Sequence, residues 1–286
     1  MITRGDELIN REFSYVDFGD KRLNKRLVEI GLDFVDSPRQ SIPQMCGSWS
    51  KTKAAYRFLD NSNVRREEII SSHRERTNRR LTSLDEVLFV SDTTFFTFPN
   101  HPAEDQLGEV GKKEDDVPGV LSHNTIAVSV KGGRMKGVYD QQIIIRGEEE
   151  TMRWKGPDRQ EEMDNENEKW NRAIEGVLDE VPESTFPTFV FDRGGDAYPI
   201  LTQLTGQKAG FIIRANQNRA IRSEGGQRGR LKEWIREKQA MGEMTREVRL
   251  DGGELQEVAF QVQAGSCLYW RHIRSDRVWK MKERCV

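Results

Sequence analysis

The sequence predicts an α/β fold with a helical N-terminal part and a β-rich C-terminal part. Apolar residues recur at helical spacing through residues 11–36, and two further helical stretches cover residues 49–59 and 64–81. From residue 87 onward, short apolar runs and polar–apolar alternation indicate strands instead. The 286 residues are enough for about two domains at the usual size of roughly 100–200 residues each.

The composition restricts the class of protein. No apolar run approaches the roughly 18 residues that a membrane span needs, and the N-terminus has no apolar signal core, so we expect a cytoplasmic protein without membrane association. The three cysteines lie far apart and form no CxxC pair, which indicates neither a disulfide framework nor a zinc site.

The charge is distributed unevenly along the chain. Residues 1–80 hold 16 Lys and Arg against 12 Asp and Glu, residues 81–210 hold 13 against 25, and residues 211–286 hold 16 against 10. An acidic centre between two basic ends suits a metal-binding site flanked by surfaces that bind a polyanion. Ordinary solvated charge explains excesses of this size equally well.

The central region places strands and helices in a defined order. Three strands are followed by a helix, a strand, a helix and a strand, predicted at residues 87–90, 124–130, 137–145, 166–180, 186–191, 198–204 and 210–214. The Gly-, Pro- and acid-rich stretch 99–118 is predicted to be a loop. This order is that of the ribonuclease H-like fold, in which the fourth strand lies beside the first. We therefore predict a ribonuclease H-like mixed-sheet catalytic core.

Two aspartates stand at strand ends in this order. Asp92 follows the first strand and Asp192 follows the fourth, so their side chains are expected to meet in one crevice. Phosphoryl transfer on DNA uses two divalent ions about 3.5–4 Å apart, and Mg²⁺ prefers carboxylate oxygens. Asp92 and Asp192 are therefore candidate catalytic residues and metal ligands. A third acid would complete the set of ligands. Capping of a turn is the alternative for each aspartate.

Neighbouring residues have structural explanations. Asp196 is predicted to cap the helix that follows it, His123 to be a packed strand residue, and Trp170 to be a core residue. The Gly- and Arg-rich run 222–230 is interpreted first as a flexible loop and second as a DNA-contacting loop. Strands are predicted again at residues 246–250 and 255–262.

Several motifs resemble a family of bacterial insertion-sequence transposases. These enzymes cut and paste DNA through hairpinned ends and use a ribonuclease H-like core. The resemblance covers about residues 10–265 and rests on FGDKRL (18–23), CGSWSKTKAAYRFL (46–59), SDTT (91–94), residues 119–123, ENEKW (166–170) and DRGGD (192–196).

The resemblance implies a DDE transposase with Asp92 and Asp192 as its first two metal ligands and Mg²⁺ or Mn²⁺ as its cofactor. It implies double-stranded DNA as partner, both as inverted repeats at element ends and as target, and a nucleoid-associated location. A homodimer and a heterodimer with a full-length transposase are both compatible with it.

The N-terminal helices are the expected DNA-binding module. Lys51, Lys53 and Arg57 fit contacts with DNA phosphates, as do Arg65 and Arg66 at the start of the third helix. The Arg-rich face of that helix could instead be solvated. The aromatic residues Trp49, Tyr56 and Phe58 are predicted to form the core of this small domain.

The sequence departs from the family at two points. Gly194 and Gly195 stand where the family carries Glu-Ala, which is expected to loosen the turn. The third acid of the family lies in a Tyr-x2-Arg-x3-Glu pattern, whereas here His272 follows Tyr269 in place of Arg, and Glu283 is the last acid. We therefore expect a truncated transposase that binds DNA and cleaves it weakly or not at all, which leaves its status as an enzyme open.

We predict three regions: a helical DNA-binding domain (1–82), the ribonuclease H-like core (83–220), and part of an inserted β-rich subdomain with a divergent tail (221–286). Two other functions are open. The first is a DNA-binding inhibitor of transposition, and the second is a ribonuclease H-like nuclease unrelated to transposition.

Overall fold

The computed structural model describes residues 4–99, 107–110, 117–145, 164–223, 225–249, 253–263 and 267–269. The chain divides into two compact units, residues 1–214 and residues 215–286. No helix within the described residues is both long enough and apolar enough to cross a membrane. The predicted boundaries at residues 82 and 220 stay predictions.

The first unit begins with five helices, and side-chain caps set where two of them start. Asp20 accepts a hydrogen bond from the backbone N–H of Arg22, and Ser48 accepts one from that of Lys51. Gly47 ends the third helix at a φ of 66°, a left-handed conformation that glycine adopts without strain. The helices are α1 (Arg4–Glu12), α2 (Lys21–Asp36), α3 (Ile42–Cys46), α4 (Trp49–Leu59) and α5 (Arg66–Leu81).

A small apolar core holds these helices together. Leu27 and Ile30 of α2 pack with Ala55 and Phe58 of α4, and Phe18 meets the Phe58 ring edge-on at 5.8 Å. Each fully buried side chain of this size contributes about 1.5–3 kcal/mol by leaving water. The helical periodicity therefore creates the apolar stripes, and their burial orients α2 and α4.

A six-stranded mixed sheet follows the N-terminal helices in the first unit. Its strands lie in the order β4–β3–β1–β5–β6, with β2 paired to the beginning of β3. Neighbours β4, β3 and β1 are antiparallel, whereas β1, β5 and β6 are parallel. The strands are β1 (Glu86–Thr97), β2 (Gly108–Val110), β3 (Val117–Ser129), β4 (Met135–Ile144), β5 (Phe186–Phe191) and β6 (Gly210–Ile213). The fourth of the predicted strands thus lies beside the first, as expected.

Part of the stretch 99–118 forms strands, so its prediction as a loop is wrong there. Residues 108–110 pair with residues 117–119, and β1 runs on to Thr97, which lies opposite Gly119. A Cβ at Gly119 would lie 2.2 Å from the Phe96 carbonyl oxygen. Glycine at position 119 therefore allows β3 to approach β1 closely, whereas the Gly-rich composition alone indicates a turn.

One face of the sheet is buried under two helices. Val87, Phe89 and Ala127 of the sheet and Phe189 and Phe191 of β5 are fully or almost fully buried. They pack with Ile174 and other apolar residues of α6 (Asp164–Leu178) and α7 (Tyr198–Thr205). This face anchors β1 and β5. The prediction that Asp92 follows the first strand is wrong, because β1 continues past it to Thr97, whereas Asp192 directly follows β5 as predicted.

Helix α5 is tied to the sheet by side-chain hydrogen bonds. The Tyr139 hydroxyl donates to Asn78 Oδ1 at 2.7 Å, and His73 Nε2 accepts from the Val138 backbone N–H at 3.0 Å. Tyr139 is among the largest fully buried side chains, and the bond to Asn78 satisfies its hydroxyl group. Helix α5 therefore belongs to the N-terminal helices in sequence but packs against the sheet.

The second unit is mostly β-structure. One of its sheets contains three strands in the order β11 (Cys267–Tyr269), β7 (Ala220–Ser223) and β8 (Arg228–Arg230). A second sheet contains β9 (Ala240–Arg249) and β10 (Leu255–Gln263). Helix α8 (Leu231–Arg236) lies between β8 and β9 in sequence.

The prediction of a loop at 222–230 is wrong at both ends of this range. β7 and β8 form a hairpin, and Gly226 makes its turn at a φ of 82°. The predicted divergent tail and Glu283 lie outside the described residues.

Candidate functional site

The strand register brings Asp92 and Asp192 to adjacent positions. The parallel pairing of β1 and β5 ends with Ser91 opposite Phe191, and each aspartate is the next residue of its strand. Both side chains are exposed. Because neighbouring strands lie about 4.8 Å apart, the register places the backbones of the two aspartates side by side where the pairing of β1 with β5 ends.

Local hydrogen bonds orient both carboxylates. Asp92 Oδ1 accepts from the Thr93 backbone N–H at 2.8 Å, and Asp192 Oδ1 accepts from the Gly194 backbone N–H at 2.8 Å. The second bond caps the short 3-10 turn at Arg193–Gly195. Among the described residues, no hydrogen bond occupies the Oδ2 atom of either aspartate, so one oxygen of each remains available to a ligand.

The two glycines after Asp192 make this turn tight. A Cβ at Gly194 would lie 3.1 Å from the Trp170 ring, and a Cβ at Gly195 would lie 2.6 Å from the Phe191 Cβ. Side chains at these positions would push the turn away from α6 and β5. The glycines therefore permit close packing of the turn against α6 and β5, and the expected loosening relative to the family stays a prediction.

A buried histidine lies behind Asp92. His123 Nδ1 is 2.9 Å from Thr93 Oγ1, and the His123 ring meets Trp170 edge-on at 4.5 Å. Burial lowers the pKa of His123 to about 4; the positive charge of Lys169 acts in the same direction and the Asp192 carboxylate opposes it. The imidazole is therefore neutral at physiological pH. His123 is a packed strand residue and Trp170 a core residue, as predicted.

Asn124 is a candidate site residue that the sequence did not reveal. It lies directly opposite Asp92 on β3, so the two side chains share a face of the sheet. Its Oδ1 accepts from Ser122 Oγ and from Gln141 Nε2, both at 3.0 Å, and its Nδ2 donates to the Ser122 carbonyl oxygen at 3.3 Å. This leaves the other amide hydrogen as a donor beside Asp92. The only signal was a polar residue at an outward position in a strand whose register was unknown.

The donor set fits a hard divalent cation. The described residues contain no group of three His, Cys, Asp or Glu side chains that could hold a metal ion. Magnesium is nevertheless commonly held by one or two carboxylates, with water and substrate phosphate oxygens as the other ligands. Asp92 and Asp192 supply that number of carboxylates where the pairing of β1 with β5 ends.

The predicted capping role of Asp196 is wrong. Helix α7 starts at Tyr198, so its N-cap position is Ala197, which makes no side-chain cap. Asp196 instead ends the 3-10 turn, where its backbone N–H donates to the Arg193 carbonyl oxygen at 3.3 Å.

The predicted DNA-contacting residues fall into two groups. Lys53 and Arg57 are exposed on α4, and no hydrogen bond or ion pair joins either to another described residue. Lys51 instead lies on the flank near α2, where its Nζ is 2.6 Å from Asp33 Oδ1 and this bond raises the pKa of Lys51. Two residues apart on a helix means about 200° around its axis, which separates Lys51 from Lys53.

The two arginines at the start of α5 are also engaged within the chain. Arg65 pairs with Glu68 at 2.6 Å. Arg66 pairs with Glu67 at 3.0 Å and donates to the Gln141 carbonyl oxygen at 2.6 Å. Exposed ion pairs of this kind are weak, so DNA phosphates can compete with them, and the roles of both arginines stay predictions.

Further along α5 the arginines make internal contacts. Arg80 forms an ion pair with Glu12 of α1, and Glu12 also lies 2.9 Å from His73 Nδ1. The Arg79 guanidinium stacks over the Tyr15 ring, 4.8 Å from its centroid. Much of the basic face of α5 therefore serves helix packing.

Two aromatic residues of α4 are exposed. The predicted core role is confirmed for Phe58, which is 3% exposed, but it is wrong for Trp49 and Tyr56, which are 78% and 45% exposed. The buried side of α4 is formed by Thr52, Ala55 and Phe58. Trp49 and Tyr56 lie on the other side with Lys53 and Arg57. We call these four residues the α4 outer face.

The N-terminal helices resemble a known protein family. Residues 6–64 match a family model described as transposase DNA-binding. The matched segment includes all of α2, α3 and α4 and therefore the whole α4 outer face. The match supports a DNA-binding transposase.

Proposed function

We propose that this chain is a DDE transposase of the insertion-sequence type. It would bind the inverted repeats at element ends and cleave and transfer DNA strands at a metal site built on Asp92 and Asp192. One observation carries the proposal: the β1–β5 register sets these two aspartates side by side, in the unit whose N-terminal helices match transposase DNA-binding domains.

The strand order supports a ribonuclease H-like core. An antiparallel β4–β3–β1 meander continues into parallel β5 and β6, with α6 entering before β5 and α7 before β6. Asp92 lies within the central strand, directly after its last residue paired with β5, and Asp192 directly follows β5. Ligands of α/β sheets bind outside the carboxyl ends of such strands.

The residues of the site would act as follows. Asp92 and Asp192 would hold Mg²⁺ or Mn²⁺, which when bound activates the attacking oxygen and stabilises the leaving oxygen. Asn124 would donate its remaining amide hydrogen to Asp92 or to a phosphate oxygen. The hydrogen bond between His123 and Thr93 would hold the β1 backbone in place beside Asp92. Because the imidazole is neutral, it would add no positive charge that repels the cation.

A cleavage assay tests the proposal. The DNA is a duplex carrying the inverted repeats that flank the gene, with Mg²⁺ or Mn²⁺ present, and the variants are Asp92→Asn and Asp192→Asn. We expect DNA binding by both variants to match that of the unchanged chain and strand cleavage to disappear. Cleavage that survives both substitutions would contradict the assignment of the site.

One observation favours a second function, an inhibitor of transposition. Residues 6–64 match a DNA-binding domain, which can bind element ends without any cleavage site. A chain that binds element ends without cutting them would occupy them or form inactive complexes with a full-length transposase. Binding without cleavage, together with repression of transposition on co-expression, would identify it.

The remaining functional assignments follow from the same proposal. Double-stranded DNA is the partner, and the chain acts at the nucleoid as a homodimer or with a full-length transposase. The size of the DNA complex by light scattering, with and without such a partner, distinguishes these assemblies. An unrelated nuclease is disfavoured because residues 6–64 match a transposase DNA-binding domain.

A further inference from the structure

We infer that the α4 outer face reads DNA sequence, with Trp49 and Tyr56 contacting bases and Lys53 and Arg57 contacting phosphates. The inference rests on the proposed DNA binding and adds to it the residues that determine specificity. Its occupant is double-stranded DNA.

Helix geometry places the four residues together. They lie at positions i, i+4, i+7 and i+8 of α4, which confines them to an arc of about 100° around the helix axis. Thr52, Ala55 and Phe58 occupy the opposite side and are buried. The α4 outer face is thus one continuous surface directed away from the small apolar core.

The exposure of the two aromatic rings calls for a partner. Trp49 is the most exposed of the large hydrophobic residues described, at 78%, and Tyr56 lies two turns further along the same face. No hydrogen bond, ion pair or ring contact between described residues involves either side chain. Grouped exposed apolar surface of this kind marks interaction sites.

The charge of this face selects the partner. Lys53 and Arg57 interleave with the two rings and have no acidic partner among the described residues, whereas Lys51 on the other flank is paired with Asp33. Cations next to planar aromatic rings suit a polyanion that also presents apolar and hydrogen-bonding base edges. This combination fits DNA.

The position of α4 in the chain suits groove entry. Only Gly47 and Ser48 separate α3 from α4, and the left-handed Gly47 makes the turn. In DNA-binding helix pairs joined by a tight turn, the first residues of the second helix contact base edges in the major groove. Trp49 is the first residue of α4, so it stands where such contacts form.

The spacing of the rings matches the repeat of DNA. Trp49 and Tyr56 are seven positions apart, which is about 10 Å along the helix axis and corresponds to about three base-pair steps of 3.4 Å. Each ring has an apolar face for a thymine methyl group and a polar N–H or O–H for a base edge. We therefore expect the face to read a short site of a few base pairs.

The experiment starts with the full chain and a random-sequence duplex library. Duplexes enriched by binding are identified, and affinity is measured for one selected duplex and for a scrambled duplex of the same composition at several salt concentrations. The variants are Trp49→Ala, Tyr56→Ala and Lys53→Gln. Leu59→Ala is the matched control, because Leu59 is 55% exposed on α4 but lies off the outer face.

The expected results separate base contacts from phosphate contacts. Each aromatic variant should lose roughly 5- to 150-fold in affinity for the selected duplex and keep its affinity for the scrambled one. Lys53→Gln should weaken both complexes and reduce the salt dependence by about one counterion. Leu59→Ala should change neither affinity.

A second measurement uses the unsubstituted chain, so it does not depend on variants that fold. The selected duplex is prepared with iodouracil in place of thymine, irradiated in the complex, and the crosslinked peptide is identified by mass spectrometry. A crosslink at Trp49 or Tyr56 supports the inference. Crosslinks confined to other residues would overturn it.

Two failures can be told apart. If the unsubstituted chain enriches no duplex and binds no DNA, the proposed function itself fails. If it binds a selected duplex while both alanine variants keep full affinity and selectivity, the base-reading role is refuted and DNA binding stands.

Discussion

Burial of His123 should make the first unit sensitive to mild acid. The side chain is 0% exposed, and burial lowers its pKa from 6.5 to about 4. The unfolded chain takes up a proton near pH 6.5, whereas the folded chain resists uptake until about pH 4. The resulting stability is fully present above pH 6.5 and is lost as the pH falls towards 4.

The size of this effect follows from the two pKa values. A shift of this size is worth about 3 kcal/mol in full, and about 2 kcal/mol of it is lost between pH 7.5 and pH 5. The effect comes from forcing a charge into a site between Trp170 and Thr93, where Nε2 has no hydrogen-bond partner among the described residues.

The assay is urea unfolding at pH 7.5, 6.0 and 5.0, for the unsubstituted chain and for His123→Asn. Asparagine keeps an amide for the bond to Thr93 but does not titrate. We expect the variant to be less stable at pH 7.5 and its free energy of unfolding to fall by about 2 kcal/mol less between pH 7.5 and pH 5. Parallel pH profiles would refute the argument.

His73 provides a comparison within the same unit. Burial also lowers the pKa of His73, but the Glu12 carboxylate opposes that shift. His73→Asn should therefore change the pH profile less than His123→Asn. In the unsubstituted chain, NMR of labelled histidines should show a His123 signal that stays constant between pH 7.5 and 5.5, and a titration midpoint above 6 would contradict the burial argument.

Three other changes test the packing by urea unfolding. Gly119→Ala should destabilise the chain by about 1–3 kcal/mol, because the new Cβ collides with the Phe96 carbonyl oxygen. Its control, Gly176→Ala, changes an open helical position and should stabilise the chain by about 0.5–1 kcal/mol. Equal effects of the two substitutions would contradict the close approach at Gly119. Phe89→Ala should cost about 3–5 kcal/mol, and a loss below 1 kcal/mol would mean that its site is not a core. Glu12→Gln should cost about 1.5–3 kcal/mol by weakening its bonds to α5, and an unchanged midpoint would show that these bonds contribute nothing.

Local signals predicted several elements accurately. The helix at 49–59 and the strand at 186–191 have the predicted bounds, because a capping serine, breaker residues and apolar periodicity all act within a few residues. The relation between the two aspartates also followed from the order of strands and helices, since few topologies accommodate that order.

Other features depended on distant partners. The sequence did not show that Lys51 would meet Asp33, or that Arg80 would meet Glu12, which lies 68 positions away. Periodicity marked α4 as a helix but did not show which side its neighbours cover, so Trp49 and Tyr56 were assigned to the core although they are exposed.

The sequence by itself determined most of the helices and central strands, the order in which they follow one another, and that the N-terminal helices resemble a DNA-binding module. Tertiary structure decided which side chains share a surface: the pairing of Asp92 with Asn124, the neutral His123 behind it, and the α4 outer face. The physical reason is range. Propensity, caps and periodicity act over a few residues, whereas burial, register and ion pairing are settled only when segments far apart in the chain pack together.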